Sequence, residues 1–554
     1  MNIISWENKD ATALQLFESW VIKTPNRRSV VFEPGVSTTF KEIWDLSGKI
    51  YAYLKARGIV AENVVMYCLP RGIEFLACMI GTMRAGAAFV LTETGNDKRT
   101  EFIRKDCRCK LYVDVSNWND IIQTEPLEGY EQVCLHNLCY IAYTSGTTSN
   151  PKGVLHEYGS FENAWKSALI DGVPLLDEKD TFLLAVSMSF VSLPLFFALS
   201  CAFGFALAIM PYEYKNSREK FYSYVEKAGV NCGYITPSFL RTLLPFGHPW
   251  RVCILTSEAA DDLFLENTIC YNCYASTESG CLLTVFKLPR KMNPAPVGKS
   301  QSDVSIFILN EDDMNVSQGT VGEVCYRNPY VRGYINLPEK TQKLIRGGVF
   351  HSGDSGKIDS NGDLILYDRI DDMFKINGYR IEPDEVANAV RQVSGLSHIV
   401  VRGFVYKDLS AIIVFYTDDI EIDNVSMREQ LLNKLPEYMI PTNYIRLDSF
   451  PLLENGKLNK LRLLPPEGSW DALRTISDSN FPVIAREQDF CMYEIGNDKA
   501  VKIFNPSIPF MKIWQEMVQM QKAYASGLSV QNAYELVRFG SDYGIMMDRK
   551  EQKL

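Results

Sequence analysis

Thr144-Ser145-Gly146-Thr147-Thr148-Ser149-Asn150-Pro151-Lys152-Gly153 is a run of small, hydroxylated and glycine residues that closes on a lysine. Flexible glycines let successive backbone N–H groups turn toward one anion, the hydroxyls add donors and Lys152 adds a point charge, so the stretch suits phosphate. It is not a Walker loop, which needs glycine immediately before its lysine; here Pro151 stands there. A polar surface loop has the same composition. Tyr140-Ile141-Ala142-Tyr143 before it reads as a buried strand, which places the loop at a strand end, where ligands collect in α/β folds, and the segments downstream favour the phosphate reading.

Outward from this loop, helical and strand-like segments alternate from residue 10 to about 368. Lys41 to Arg57 and Ile73 to Ala85 carry helical periodicity, and Val64-Val65-Met66-Tyr67-Cys68 between them reads as a strand. Asn361-Gly362 between Lys357-Ile358 and Leu364-Ile365-Leu366-Tyr367 predicts a hairpin in preference to a calcium loop, whose terminal glutamate is missing. After Asp368 the composition shifts to a small α+β unit, with a helix near 382–393 and strands near 398–406 and 411–417. The expected architecture is α/β: a large domain over 1–368, a small mobile α+β domain over 369–466, a linker over 467–479 and a further α+β extension over 480–554.

Bulk composition narrows the function classes. Hydrophobic residues make up 46% and charged residues 22% of 554, which is a globular composition, and a net charge of −10 argues against nucleic acid or an anionic membrane as partner. The long apolar run from Phe182 to Met210 is interrupted by Pro194 and several serines, so it reads as a buried strand and helix, with no membrane span. Fourteen cysteines are scattered singly without a CxxC pair or a zinc-like His/Cys spacing, which predicts reduced thiols. Residues 1–10 lack a basic flank followed by an apolar core, so a cytoplasmic location is expected.

Five further segments accompany the loop in a fixed order: Arg332-Gly333-Tyr334 with Pro338-Glu339-Lys340-Thr341 is one, and the others are Tyr274-Ala275-Ser276-Thr277-Glu278, Ser352-Gly353-Asp354, Asp368-Arg369-Ile370-Asp371 and Gly456-Lys457. With them, residues 10–466 resemble the adenylate-forming superfamily, which includes acyl-CoA synthetases, luciferases and the adenylation domains of nonribosomal peptide synthetases. The resemblance implies attack of a carboxylate on the α-phosphorus of ATP, giving acyl-AMP and pyrophosphate, followed by transfer to a thiol of CoA or of a separate phosphopantetheinyl carrier protein. A carboxylate must approach a polyanion in that reaction, so Mg²⁺, backbone donors and fixed cations are needed.

By the same resemblance, Thr144, Ser145, Gly146, Thr147, Thr148 and Lys152 hold the β- and γ-phosphates. Tyr274 stacks on adenine, Thr277 contacts the α-phosphate and Glu278 ligates Mg²⁺, although the pentapeptide alone has the look of a helix start. Asp354 accepts from the ribose hydroxyls, Arg369 lies near ribose or phosphates, Asp371 is the interdomain hinge and Lys457 reaches the carboxylate and α-phosphate. The Arg332-Gly333-Tyr334 segment is assigned no chemistry.

Departures from the pattern are informative. Ser149 and Ala275 stand where glycine is usual, Tyr158 where histidine is common, and Asp368 where glycine is usual. Val191 falls where an aspartate would hold an α-ammonium, which favours an aryl, acyl or otherwise amine-free carboxylic acid in a pocket around Val191, Tyr234, Ser257 and Cys281. Residues 480–554 resemble the N-terminal lobe of aminoglycoside-phosphotransferase-like kinases, with Lys502 pairing Glu516. No HxD-like loop follows, so no phosphotransfer is expected, and a packing or partner-binding extension is the other reading. For the whole chain the rival to an acid–thiol ligase is a degenerate nucleotide-binding or scaffolding protein.

Overall fold

The structure, a computed structural model, describes residues 4–144 except 34 and 96; 151–450 except 186, 212, 213, 215, 216, 244–247, 262, 302, 303, 370–373, 377, 378, 382, 407 and 408; and, beyond these, 463, 474–476, 483–486, 490–495, 499–504, 513, 516, 517, 520, 533–539 and 542–548. Two compact units divide the chain, the main break falling between Asp371 and Asp372.

In the first unit two sheets enclose a layer of helices. One has eight strands in the order Leu282–Lys287, Ile269–Ala275, Val252–Leu255, Cys232–Ile235, Thr181–Leu184, Ala206–Ile209, Arg28–Glu33 and Val36–Thr39, parallel except at its two ends. The other has six, in the order Val331–Tyr334, Lys152–Glu157, Leu138–Thr144, Ala88–Glu93, Val64–Leu69 and Leu111–Asp114. Its inner strands read as unbroken apolar runs because both faces are covered: Val64–Leu69 is buried at every position.

Local chemistry explains the helices between them. Thr12 and Thr39 each close a capping box, with Gln15 and Glu42, at the starts of Ala13–Lys23 and Phe40–Ala56. Helix Ser192–Phe203 is buried at all twelve positions, ends on the left-handed Gly204, and packs Phe197 against Phe17 and Phe161. A helix apolar all round belongs in a core. The Phe182–Met210 run is therefore strand, helix and strand, and no described helix is long and apolar enough to cross a membrane.

One side chain joins the ends of strands from the two sheets. Arg71 pairs with Glu93 at the end of one sheet and donates to the carbonyls of Leu184 and Met210 at the ends of two strands of the other. A smaller antiparallel sheet, Ser305–Leu309, Gly322–Arg327, Val349–Ile358, Ile345–Arg346 and Leu364–Arg369, completes the unit. Its Ile358↔Leu364 register, with Gly362 at φ 82° and Asp359 accepting from the Asn361 and Asp363 amides, is the expected hairpin.

The second unit holds a hairpin (Phe374–Ile376 with Tyr379–Ile381), helices Pro383–Ser394 and Asn424–Leu432, and a three-stranded sheet of Ile399–Tyr406, Leu409–Tyr416 and Asn443–Arg446. A further six-stranded sheet includes the hairpin Phe490–Ile495/Lys499–Phe504. Ala411, Ile413, Phe415 and Ile445 share one apolar cluster with Ala500, Phe504, Ala533, Ile545 and Met547, so the two sheets of this unit have a common core.

Candidate active site

The phosphate-type loop leaves the strand Leu138–Thr144 and returns in Lys152–Glu157, which pairs antiparallel with it so that Thr144 faces Lys152. Thr144 and Lys152 are both buried. Ser145, Gly146, Thr147, Thr148 and Ser149 lie outside the described residues, as do Asp371 and Lys457.

Beyond Lys152 the same strand pairs with Val331–Tyr334, setting Tyr334 opposite Val154. The Tyr334 ring lies 5.7 Å from the Lys152 ammonium, and its hydroxyl donates to Glu278 Oε1 at 2.6 Å. Glu278 is almost fully buried. A phenol thus links a buried carboxylate to a buried ammonium, and the carboxylate offers the hard oxygen that Mg²⁺ takes.

Glu278 is presented by the turn joining Ile269–Ala275 to Leu282–Lys287. The helix start that the pentapeptide alone suggests gets no further than one turn: the Ser276 amide donates to Ser279 Oγ and the Ser279 amide to Ser276 Oγ, each at 3.1 Å, as in a capping box, and the left-handed Gly280 then ends the turn before the strand Leu282–Lys287. Thr277 sits half-buried between them. Gly280 follows at φ 65°, where a Cβ would meet Ser160 Oγ at 2.5 Å and His156 Nδ1 at 2.7 Å.

His156 is wholly buried, stacks on Tyr140 at 4.4 Å and shares a 3.1 Å hydrogen bond with Ser160. Burial drives its pKa down to about 3, opposed only in part by the charge of Glu278 and the Thr277 backbone, so the ring is neutral.

Tyr274, at the end of its strand, donates its phenol to the Asp354 carboxylate. Burial and that neighbouring charge hold the phenol well above its ordinary pKa. Asp354 is aimed by an irregular strand: register shifts fall between Asp354 and Gly356 on one side and opposite Glu323 and Cys325 on the other, and Gly353 has φ 71°. The Asp354 amide donates to Ser352 Oγ at 3.0 Å. Arg369 stands opposite Asp354 in the antiparallel register.

Of the candidate acid pocket, Tyr234 packs its ring 5.2 Å from Phe196 and shares a 2.8 Å hydrogen bond with Ser257, which is held at φ 74°. Val191 is half-buried at the start of helix Ser192–Phe203. Cys281 is buried, and burial pushes its thiol up to about 12, which makes it no nucleophile.

The family described as AMP-binding enzyme matches residues 17–335. The chain belongs to that family. Among relatives of this AMP-binding enzyme, tyrocidine synthase 2 of Brevibacillus parabrevis is 27% identical over 507 residues, covering 83% of this chain and 14% of its own length. The chain spans only 9–20% of three such curated relatives. Its fold matches o-succinylbenzoate CoA synthetase (MenE) from Bacillus subtilis, with a TM-score of 0.70 and 20% identity over 81% of this chain and 98% of the other. It also matches the amide bond synthetase McbA from Marinactinospora thermotolerans, with a TM-score of 0.68 and 18% identity over 82% and 99%.

Two residues packed around the candidate site of the AMP-binding enzyme escape sequence reading. Tyr334 sits in a segment that carries no assigned chemistry, yet its hydroxyl meets Glu278. Arg332 beside it is structural, bridging Glu62 and Glu157. His156 gives no local signal, since a single histidine in an apolar strand reads as core.

Proposed function

We propose that this AMP-binding enzyme activates a carboxylic acid with ATP to acyl-AMP, releasing pyrophosphate, and then passes the acyl group to the thiol of CoA or of a separate carrier protein. The observation that carries the reading is the buried group of Lys152, Tyr334 and Glu278, with Tyr274 and Asp354 paired in the same unit. Lys152 and the Thr144–Thr148 loop would hold the β- and γ-phosphates. Thr277 would meet the α-phosphate, Asp354 the ribose hydroxyls, and Arg369 the ribose or phosphates. Bound at Glu278, Mg²⁺ would offset charge on the triphosphate.

In the attacking step, the acid's carboxylate oxygen bonds to the α-phosphorus as the bond to the pyrophosphate oxygen breaks. Lys457 would stabilise the charge that develops, and rotation of the small domain about Asp371 would then withdraw it. Val191 supports an amine-free acid, because an ammonium beside valine lacks a partner. The Tyr234–Ser257 hydroxyl pair gives the same pocket a polar end.

Acid-dependent ATP–pyrophosphate exchange across a panel of aryl, acyl and α-amino acids tests the reading. Exchange with amine-free acids is the expected result. Tight ATP binding with no exchange for any acid would mean a scaffold, and exchange confined to α-amino acids would overturn the Val191 argument.

A further inference from the structure

Glu323 and Cys325 are two residues apart on the strand Gly322–Arg327, and the neighbouring strand sets His351 directly opposite Cys325. Sequence spacing hides this group, because 26 residues separate Cys325 from His351 and only sheet register joins them. His351 Nδ1 lies 2.8 Å from Glu323 Oε2 and 3.4 Å from Cys325 Sγ. All three donor atoms fall within 4.8 Å of one another. Ligands on a tetrahedral zinc with bonds of ~2.0–2.3 Å stand roughly 3.3–3.6 Å apart, so the Cys325–His351 pair already has that spacing and the Glu323 carboxylate would move back from His351 by about half an ångström.

The contacts at His351 Nδ1 conflict. Glu323 Oε2 at 2.8 Å can only accept, which asks Nδ1 to carry a proton. A terminal Arg346 nitrogen at 2.5 Å can only donate, which asks Nδ1 to present its lone pair. No tautomer satisfies both. A metal ion held between the imidazole lone pair, the carboxylate and a thiolate would remove the conflict. The Arg346 nitrogen supplies positive charge beside this group, being also 3.3 Å from Asp313 Oδ1 and 3.5 Å from Glu323 Oε2. Cys325 and His351 are buried, whereas the Arg346 side chain is 46% exposed and lies on the solvent side of the group.

We propose that Glu323, Cys325 and His351 bind a zinc-class divalent cation in place of the Arg346 guanidinium, with Asp313 or water as fourth ligand. The Cys325 thiol proton passes to solvent as the sulfur–metal bond forms. The soft thiolate selects zinc or cobalt over magnesium or calcium. The site is structural: Glu323 Oε1 accepts from the Gly353 amide at 2.9 Å, so the ion anchors the strand one residue before Ser352-Gly353-Asp354.

The test uses the full chain, stripped with a chelator and titrated with Co²⁺, then with Zn²⁺ against a chromophoric chelator. One equivalent of cobalt with a thiolate charge-transfer band, displaced by zinc, is expected. Cys325→Ser removes the band and weakens zinc by more than the roughly 10- to 100-fold typical of outer-shell changes. Arg346→Met, on the exposed side, binds zinc more tightly than the native chain, and it reports even if the buried variants fail to fold. Absence of a thiolate band in the native chain overturns the proposal. So does zinc affinity unchanged in both Cys325→Ser and His351→Gln, or weaker binding by Arg346→Met.

Discussion

His156 sets an acid limit on the first unit. Its folded pKa of about 3 lies below the ordinary histidine value of 6.5, so the unfolded chain binds a proton that the folded one refuses. Stability is therefore full above pH 6.5 and falls as pH drops toward 3, by up to ~1.4 kcal/mol per pH unit from this one group. His156→Phe keeps the stack on Tyr140 and removes the titration; its denaturant midpoint is expected to vary less between pH 6.5 and 4 than that of the native chain. An equal slope in both proteins would place the acid sensitivity elsewhere. Asp354 gives a functional counterpart. If its carboxylate receives the ribose hydroxyls, Asp354→Ala removes charge-assisted hydrogen bonds worth ~1.5–3 kcal/mol each. The kcat/KM for ATP in pyrophosphate exchange should then fall by roughly 10- to 100-fold or more, while KM for the acid stays within about twofold.

The turn from Ser276 to Gly280 is the element on which the candidate site depends. Gly280 holds a left-handed backbone and lies against Ser160 and His156, so Gly280→Ala combines backbone strain of ~1–3 kcal/mol with a collision that the packed strand below cannot relieve. Loss of several degrees in Tm, together with loss of exchange activity, is expected; a variant as stable and active as the native chain would show that the turn tolerates displacement of Glu278. At this scale sequence reading succeeds and fails for identifiable reasons. Capped helices, the buried strand before the loop and the Asn361-Gly362 hairpin are legible because their signals are local. Tyr334 against Glu278, Arg71 between two sheets, and His351 opposite Cys325 are not, because each depends on which strands pair and in what register. The motif order marks where nucleotide chemistry belongs, whereas the partners that hold each motif residue come from distant segments.

At the scale of the molecule, the second unit has a core that its first hundred residues do not complete. The sheet holding Leu409–Tyr416 and Asn443–Arg446 buries Ala411, Ile413, Phe415 and Ile445 in a cluster closed by Ala500, Phe504, Ala533, Ile545 and Met547. Lys502 pairs with Glu516 and lies 3.8 Å from the Phe490 ring, which fixes the extension's hairpin at the same layer. Each large side chain uncovered costs roughly 1.5–3 kcal/mol, and several are involved, against a typical net stability of ~5–15 kcal/mol. Deleting residues 467–554 should therefore do more than trim an appendage. The truncated chain is expected to lose the calorimetric transition of the second unit and to self-associate on gel filtration through the uncovered apolar face, while the first unit, whose core lies in separate clusters, keeps its own transition. A truncated chain that stays monomeric and retains both transitions would mean that residues 369–466 fold without the extension. The kinase-lobe-like segment would then need a partner-binding explanation in place of a packing one.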